Sequence, residues 1–192
     1  MSGSSYSPSD GAKTSTSAVL SSEVERVMHE MPYGLYIIGS LEPEGRVNGM
    51  MADWVMQVSF EPRLVALSFE PTAHTLVNIR ERSYFSVNLL AQDDESMNLA
   101  RRFAQPFSGR KVEGREGEER TKLHYKLDGL PYTTTQNGCP VLNEAMGWFE
   151  CRLKDTQQIG DHFLVIGEVL DGAVLKEAEP MTSSYTGWTY SG

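Results

Sequence analysis

The chain has 192 residues, 40% of them hydrophobic and 22% charged, which is enough apolar material for one folded domain and too much for wholesale disorder. Its 17 Lys and Arg against 26 Asp and Glu leave a formal charge of −9, which excludes a general nucleic-acid binder, because that role needs a basic face to displace counterions. No apolar run approaches the roughly 20 residues that cross a bilayer, and the N-terminus lacks the basic-then-apolar order of a secretory signal. Cys139 and Cys151 make no disulfide framework, so a cytoplasmic protein without membrane contact is expected.

Met1 to Ser22 holds nine serines, little that is apolar and no period, and reads as a flexible tail (1–22) ahead of a folded domain (23–192). Val24, Val27, Met28 and Met31 are spaced as one side of a short helix that Pro32 would end. Tyr33 to Ile38 is aromatic and β-branched, a strand signal, and turn-forming Glu42-Pro43-Glu44-Gly45 follows. Arg63 to Phe69 is a near-continuous apolar run of strand length between Pro62 and Pro71. Leu76 and Ile79 mark a helix over Thr75 to Arg82. Tyr84 to Leu89 alternates, with Phe85, Val87 and Leu89 on one side and Tyr84, Ser86 and Asn88 on the other.

Met97, Ala100 and Phe103 mark a second helix over Ser96 to Phe103. Ser108 to Arg120, with eight charged residues and three glycines in thirteen positions, reads as an exposed, mobile loop. Trp148 to Leu153 and His162 to Leu170 are strands about a turn at Ile159-Gly160-Asp161. Many short strands with a few short helices predict a mainly β fold, a barrel or sandwich with helical decoration.

The common phosphate cradles are missing: there is no G-x-G-x-x-G after a strand and no G-x-x-x-x-G-K-[ST]. A G-x-S-x-G elbow is also absent. His29, His74, His124 and His162 are scattered without metal-ligand spacing, so no metal is expected.

Two segments carry more information. Asn48 to Pro62 reads NGMMADWVMQVSFEP, and Gly160 to Val169 reads GDHFLVIGEV, with roughly 100 residues between them. Cys139-Pro140-Val141-Leu142 ahead of Trp148-Phe149-Glu150-Cys151, and the closing Tyr185-Thr186-Gly187-Trp188, add to the pattern. In this order the segments resemble the flavin reductase family, whose members fold as an FMN-binding split β-barrel. The resemblance runs from about Met31 to Tyr190. It implies an NAD(P)H-dependent reductase of bound FMN or FAD, and a homodimer with flavin near the subunit interface, to which Trp188 and Tyr190 would contribute. Reduced flavin would pass to a partner oxygenase or another electron acceptor. A second reading on the same barrel is an FMN-binding electron-transfer protein with little NAD(P)H activity of its own.

The residues suit such a ligand. A flavin needs a slot for a flat ring, polar groups for its pyrimidine edge and an anion site. The small residues around Asn48, Met51 and Ala52 would let main-chain N–H groups approach the ring. Trp54 would stack near it, or else simply fill core. The resemblance places further cofactor contacts at Gln57 and Ser59. Thr72, His74 and Thr75, where a strand gives way to a helix, suit a phosphate, although a plain helix cap has the same composition. Asn88, on the polar side of its strand, is either a ligand contact or a satisfied strand-end amide. The resemblance places His162 near the flavin face where nicotinamide docks, as the residue that would hold the nicotinamide; a plain strand-start histidine is the alternative. Two positions depart from the family pattern: Met51 replaces a hydroxyl, and Asp53 brings a charge that would repel a phosphate unless a cation such as Arg80 or Arg101 compensates.

Overall fold

The computed structural model describes residues 23–104 and 125–188; the Ser-rich tail, the charged segment 108–120, His124 and Tyr190 lie outside these. Residues 23–29 form a helix, α1, on which Val24, Val27 and Met28 are exposed. Tyr33–Gly187 make a separate compact unit. Its elements in order are β1 (Tyr36–Leu41), β2 (Val47–Ala52), β3 (Val55–Phe60), β4 (Arg63–Phe69), α2 (His74–Arg82), β5 (Tyr84–Leu89) and α3 (Asp94–Phe103). A small hairpin of β6 (Tyr132–Thr134) and β7 (Pro140–Leu142) follows, then β8 (Gly147–Ile159), β9 (His162–Val174) and α4 (Ser183–Thr186).

Seven strands form one sheet in the order β2-β1-β5-β8-β9-β4-β3, every neighbouring pair antiparallel. β2 and β3 are consecutive in the chain yet sit at opposite ends of this order. Only Asp53 and Trp54 join them, three Cα steps that span at most about 11 Å. The sheet therefore has to curl until its two ends nearly meet at that point, while no ladder pairs them. The result is a split β-barrel with short helices, the expected class.

β4 and β5 fall on the expected residues, and α2 and α3 start one and two residues earlier than predicted. β1 begins at Tyr36 rather than Tyr33, because the residues before it pair with the C-terminal arm: Leu35 N–H donates to Met181 O at 3.0 Å. β8 and β9 run 13 residues each, well beyond the predicted limits. The polar run Lys154 to Gln158 shows no strand pattern of its own, but Asp155 to Gln158 pair with β9 along Phe163–Ile166. Register shifts at Glu150/Cys151 and Leu153/Asp155 mark bulges, which bend such a long ribbon around the barrel.

The core gathers Ile38, Val65, Leu67, Phe69, Leu76, Ile79, Phe85, Val87, Cys151 and Val165. Burying a side chain such as Phe85, which has no exposed surface, contributes about 2–3 kcal/mol. β9 passes so close here that a Cβ on Gly167 would stand 2.5 Å from Phe85 Cζ and 2.9 Å from Cys151 Cβ. The second glycine of the GDHFLVIGEV segment is thus a packing requirement.

The predicted alternation of β5 is present in direction but not in burial, since Ser86 and Asn88 are as buried as Phe85 and Val87. The β6–β7 hairpin covers their face. Asn88 Nδ2 donates to Ile37 O at 3.1 Å and to Pro140 O at 3.2 Å, and its Oδ1 accepts from Leu142 N–H at 2.9 Å. This corrects the assignment of Asn88 as a ligand contact: both ends of its amide are spent on clasping β1, β5 and β7. Asn88→Ala should leave those buried groups unpaired and lower the unfolding free energy by about 2–3 kcal/mol, read from urea titrations.

Candidate functional site

Three aromatic rings meet at the split. Trp54, in the short link, lies 5.1 Å from the His162 ring at 45° and 6.4 Å from the Tyr33 ring at 50°. Each is held by main chain. Trp54 O accepts from Ser68 N–H at 3.1 Å, which pins the link to the end of β4. His162 opens β9, where Phe163 pairs with Phe69. Tyr33 is held at both ends by the C-terminal arm: its N–H donates to Ser183 Oγ at 3.0 Å, and its carbonyl accepts from Ser183 N–H at 2.8 Å. Tyr33 was read only as the start of a strand, and nothing local to it or to the arm shows that the two meet.

His162 Nδ1 lies 2.8 Å from Asp161 Oδ1, whereas its Nε2 is buried with no partner among the described residues. The Arg80 guanidinium sits 4.1 Å over the ring of Phe163, the residue after His162 on β9, in a cation–π contact.

Asp53 is partly buried in the link. Burial raises its carboxyl above the usual value of 3.8, against the pull of the Asp53 and Trp54 backbone N–H groups. A carboxyl raised in the folded state contributes most stability below pH 3.8, and that contribution is lost as pH rises through the folded value. Asp53→Asn should therefore raise the melting temperature at pH 7, and the gain should shrink as pH falls toward 3.8, measured by thermal scans across that range.

A second cluster forms at the start of α2. Glu42 Oε1 accepts from Asn48 Nδ2 at 2.9 Å and lies 3.4 Å from His74 Nε2, while Asn48 Oδ1 takes the Gly49 N–H at 2.7 Å. The Asn48 side chain is therefore committed to the protein, which leaves the main chain of its strand as what it can offer a ligand. Thr75 is 3% exposed, so its side chain offers little surface to an anion. Thr72 is exposed. The N-cap of α2, Ala73, offers no side-chain cap, and His74 opens the helix beside it.

Gln57 is exposed on β3 and its amide donates to Ser59 O at 3.1 Å. It also lines a cavity of about 580 Å³ with Tyr36, Arg63, Phe149 and Asp171. This cavity opens toward the end of β9, away from His162 at its start. Met51 and Ala52 close β2 and are half-buried. The two thiols are buried and free. Burial, with the Glu150 charge adding to it, pushes Cys139 up to about 12, so it is no thiolate at neutral pH. Among the described residues no group of three His, Cys, Asp or Glu could hold a metal, and no helix is long and apolar enough to cross a membrane.

These features fit a flavin. As the two ends of the sheet, β2 and β3 keep main-chain N–H groups that no neighbouring strand takes. They flank an indole for a flat ring, and an uncapped helix start lies near for an anion.

Relatives agree. The flavin reductase-like domain matches residues 28–189. A flavin reductase of Pseudomonas putida is 28% identical over 151 residues, 79% of this chain and 78% of that protein. A high molecular weight rubredoxin of Moorella thermoacetica is 32% identical over 162 residues, and this chain spans 64% of its length. In structure, nitrilotriacetate monooxygenase component B of Mycobacterium thermoresistibile superposes with a TM-score of 0.69 at 22% identity, over 86% of this chain and 83% of that one. The split barrel, the edge strands around Trp54 and the matched 28–189 segment together make this chain a member of the flavin reductase-like domain family, oxidoreductases that work with FMN or FAD and with NAD(P)H.

Proposed function

We propose that the protein is an NAD(P)H-dependent flavin reductase in which the edge main chain of β2 and β3 and the Trp54 indole hold the flavin, and His162 orients the nicotinamide. The observation that carries this reading is the buried, unpartnered His162 Nε2 beside Trp54, at the split between two open strand edges. When bound, the flavin supplies the hydride acceptor, so no protein acid has to take part in that step. The chain's own work is binding and alignment. His162 offers one hydrogen-bonding atom to the carboxamide, Trp54 and Tyr33 exclude water, and Arg80 supplies positive charge for an anionic dinucleotide.

His74 and the first-turn amides of α2 would receive the flavin phosphate. Glu42 Oε1, 3.4 Å from His74 Nε2, keeps the imidazole at the start of the helix. His74→Ala should then weaken FMN several-fold more than riboflavin in fluorescence titrations, and equal losses would remove the phosphate from this cluster.

A homodimer belongs to the same proposal. Edge strand β3 exposes Met56 by 64%, Val58 by 44% and Phe60 by 86%, an apolar strip suited to a second copy that would shelter the flavin. Two free, buried thiols suit a reducing cytoplasm. Transfer of reduced flavin to a partner oxygenase is supported by the fold shared with a monooxygenase component. Electron transfer without NAD(P)H activity is the second reading, favoured by the 32% identity to a rubredoxin-bearing protein.

An anaerobic visible spectrum with FMN, then NADH and NADPH, separates the two. Rapid bleaching far above the free-flavin rate supports the reductase, and perturbed bands that persist support the electron-transfer protein. In the first case His162→Ala should raise the apparent KM for the nucleotide about tenfold with FMN affinity nearly unchanged.

A further inference from the structure

β8 and β9 are joined by two residues between Ile159 and His162, and Gly160 takes φ 60° at the first of them. That is the geometry of a type II′ hairpin turn, which glycine enters without strain. The turn sets the Asp161 carboxylate beside the imidazole, Oδ1 2.8 Å from Nδ1. The bond to His162 also holds the Asp161 carboxyl below the usual carboxylate range, so it is ionised at neutral pH and has no proton to give. Nδ1 must then carry the hydrogen, and in the neutral ring Nε2 is left as an acceptor. This Nε2 is the buried atom without a partner among the described residues. A buried acceptor in that condition costs free energy until a donor reaches it.

We infer that Asp161 is a positioning residue: it fixes the Nδ1–H tautomer of His162, so that Nε2 selects a ligand by an N–H donor, the amide NH2 of the nicotinamide carboxamide, and not by its carbonyl. The identity of the ligand rests on the reductase reading; the tautomer does not. The Asp161 bond also restrains the imidazole from turning.

Two measurements at pH 8, above the ordinary histidine range, test this. The first is long-range ¹H–¹⁵N NMR of the ligand-free protein labelled at histidine. Wild type should show His162 protonated at Nδ1. Asp161→Ala should move the ring toward Nε2–H, and since the Asp161 side chain is 95% exposed the fold should survive. Nε2–H in the wild type would overturn the proposal.

The second compares NADH with reduced 3-acetylpyridine adenine dinucleotide, which keeps the carbonyl but replaces NH2 by CH3. The FMN-loaded wild type should prefer NADH in KM by about tenfold or more, and Asp161→Ala should lose most of that preference. Asp161→Asn keeps an oxygen able to accept from Nδ1–H and should retain it. The difference in hydride potential between the nucleotides is common to all variants and cancels. An unchanged preference in Asp161→Ala would overturn the selection by Nε2. Flavin reduction by neither nucleotide would remove the reductase reading, with the NMR result still deciding the tautomer.

Discussion

The two-residue link between β2 and β3 governs this structure. Strands that follow one another in the chain usually pair, but these two lie at opposite ends of a seven-stranded order, and Asp53 and Trp54 must close the distance. That tether forces the sheet to curl until β2 and β3 nearly meet, and yet no ladder joins them, so the barrel stays split. The open edges are a liability in most proteins, since unpaired main chain invites pairing with another chain. Here the same unpaired groups flank the only residue of the link with a large ring, and the family uses a flat, polar-edged cofactor.

Everything around Trp54 is arranged by backbone rather than by side-chain packing alone. Ser68 holds the carbonyl of Trp54, the Gly160 turn delivers His162, and Ser183 holds both polar ends of the Tyr33 main chain. The last contact joins residues 150 apart in sequence, so the C-terminal arm becomes part of the site although it contributes no group with reactive chemistry. The arm is tied down further where Lys176 reaches Asp93, the N-cap of α3, at 2.8 Å.

Four carboxylates near these elements show how one side chain takes different roles by environment. Glu150 is 2% exposed and fully engaged, accepting from the Thr135 hydroxyl and from Asn137 Nδ2, and so shapes the turn ahead of β7. Glu42 joins β2 to the start of α2 through Asn48 and His74. Asp53 carries the cost of partial burial at the split, while Asp161 lies in water and acts on one nitrogen of one ring. An overall charge of −9 therefore says little about what each carboxylate does in its own surroundings.

The apolar run Arg63–Phe69, the alternating residue types of Tyr84–Leu89 and the helix after Pro71 were legible because residue type alone marks an element of that length and period. So were the two segments that carry the family resemblance, NGMMADWVMQVSFEP and GDHFLVIGEV, and with them the expected split barrel and its flavin chemistry. What the sequence could not settle depended on neighbours far along the chain. Asn88 and Thr75 carry groups that would suit a ligand, but β1 and β7 spend the amide of the first, and the second is buried at the start of α2. Tyr33, Glu42 and Arg80 gained their places through contacts with Ser183, His74 and Phe163 that no local pattern encodes. Local sequence determines which segments become strands and helices, because periodicity and turn chemistry act over a few residues. Which polar side chains stay available for a ligand was decided only in the tertiary structure, because a buried donor or acceptor is claimed by whichever unpaired group the fold brings within 3 Å.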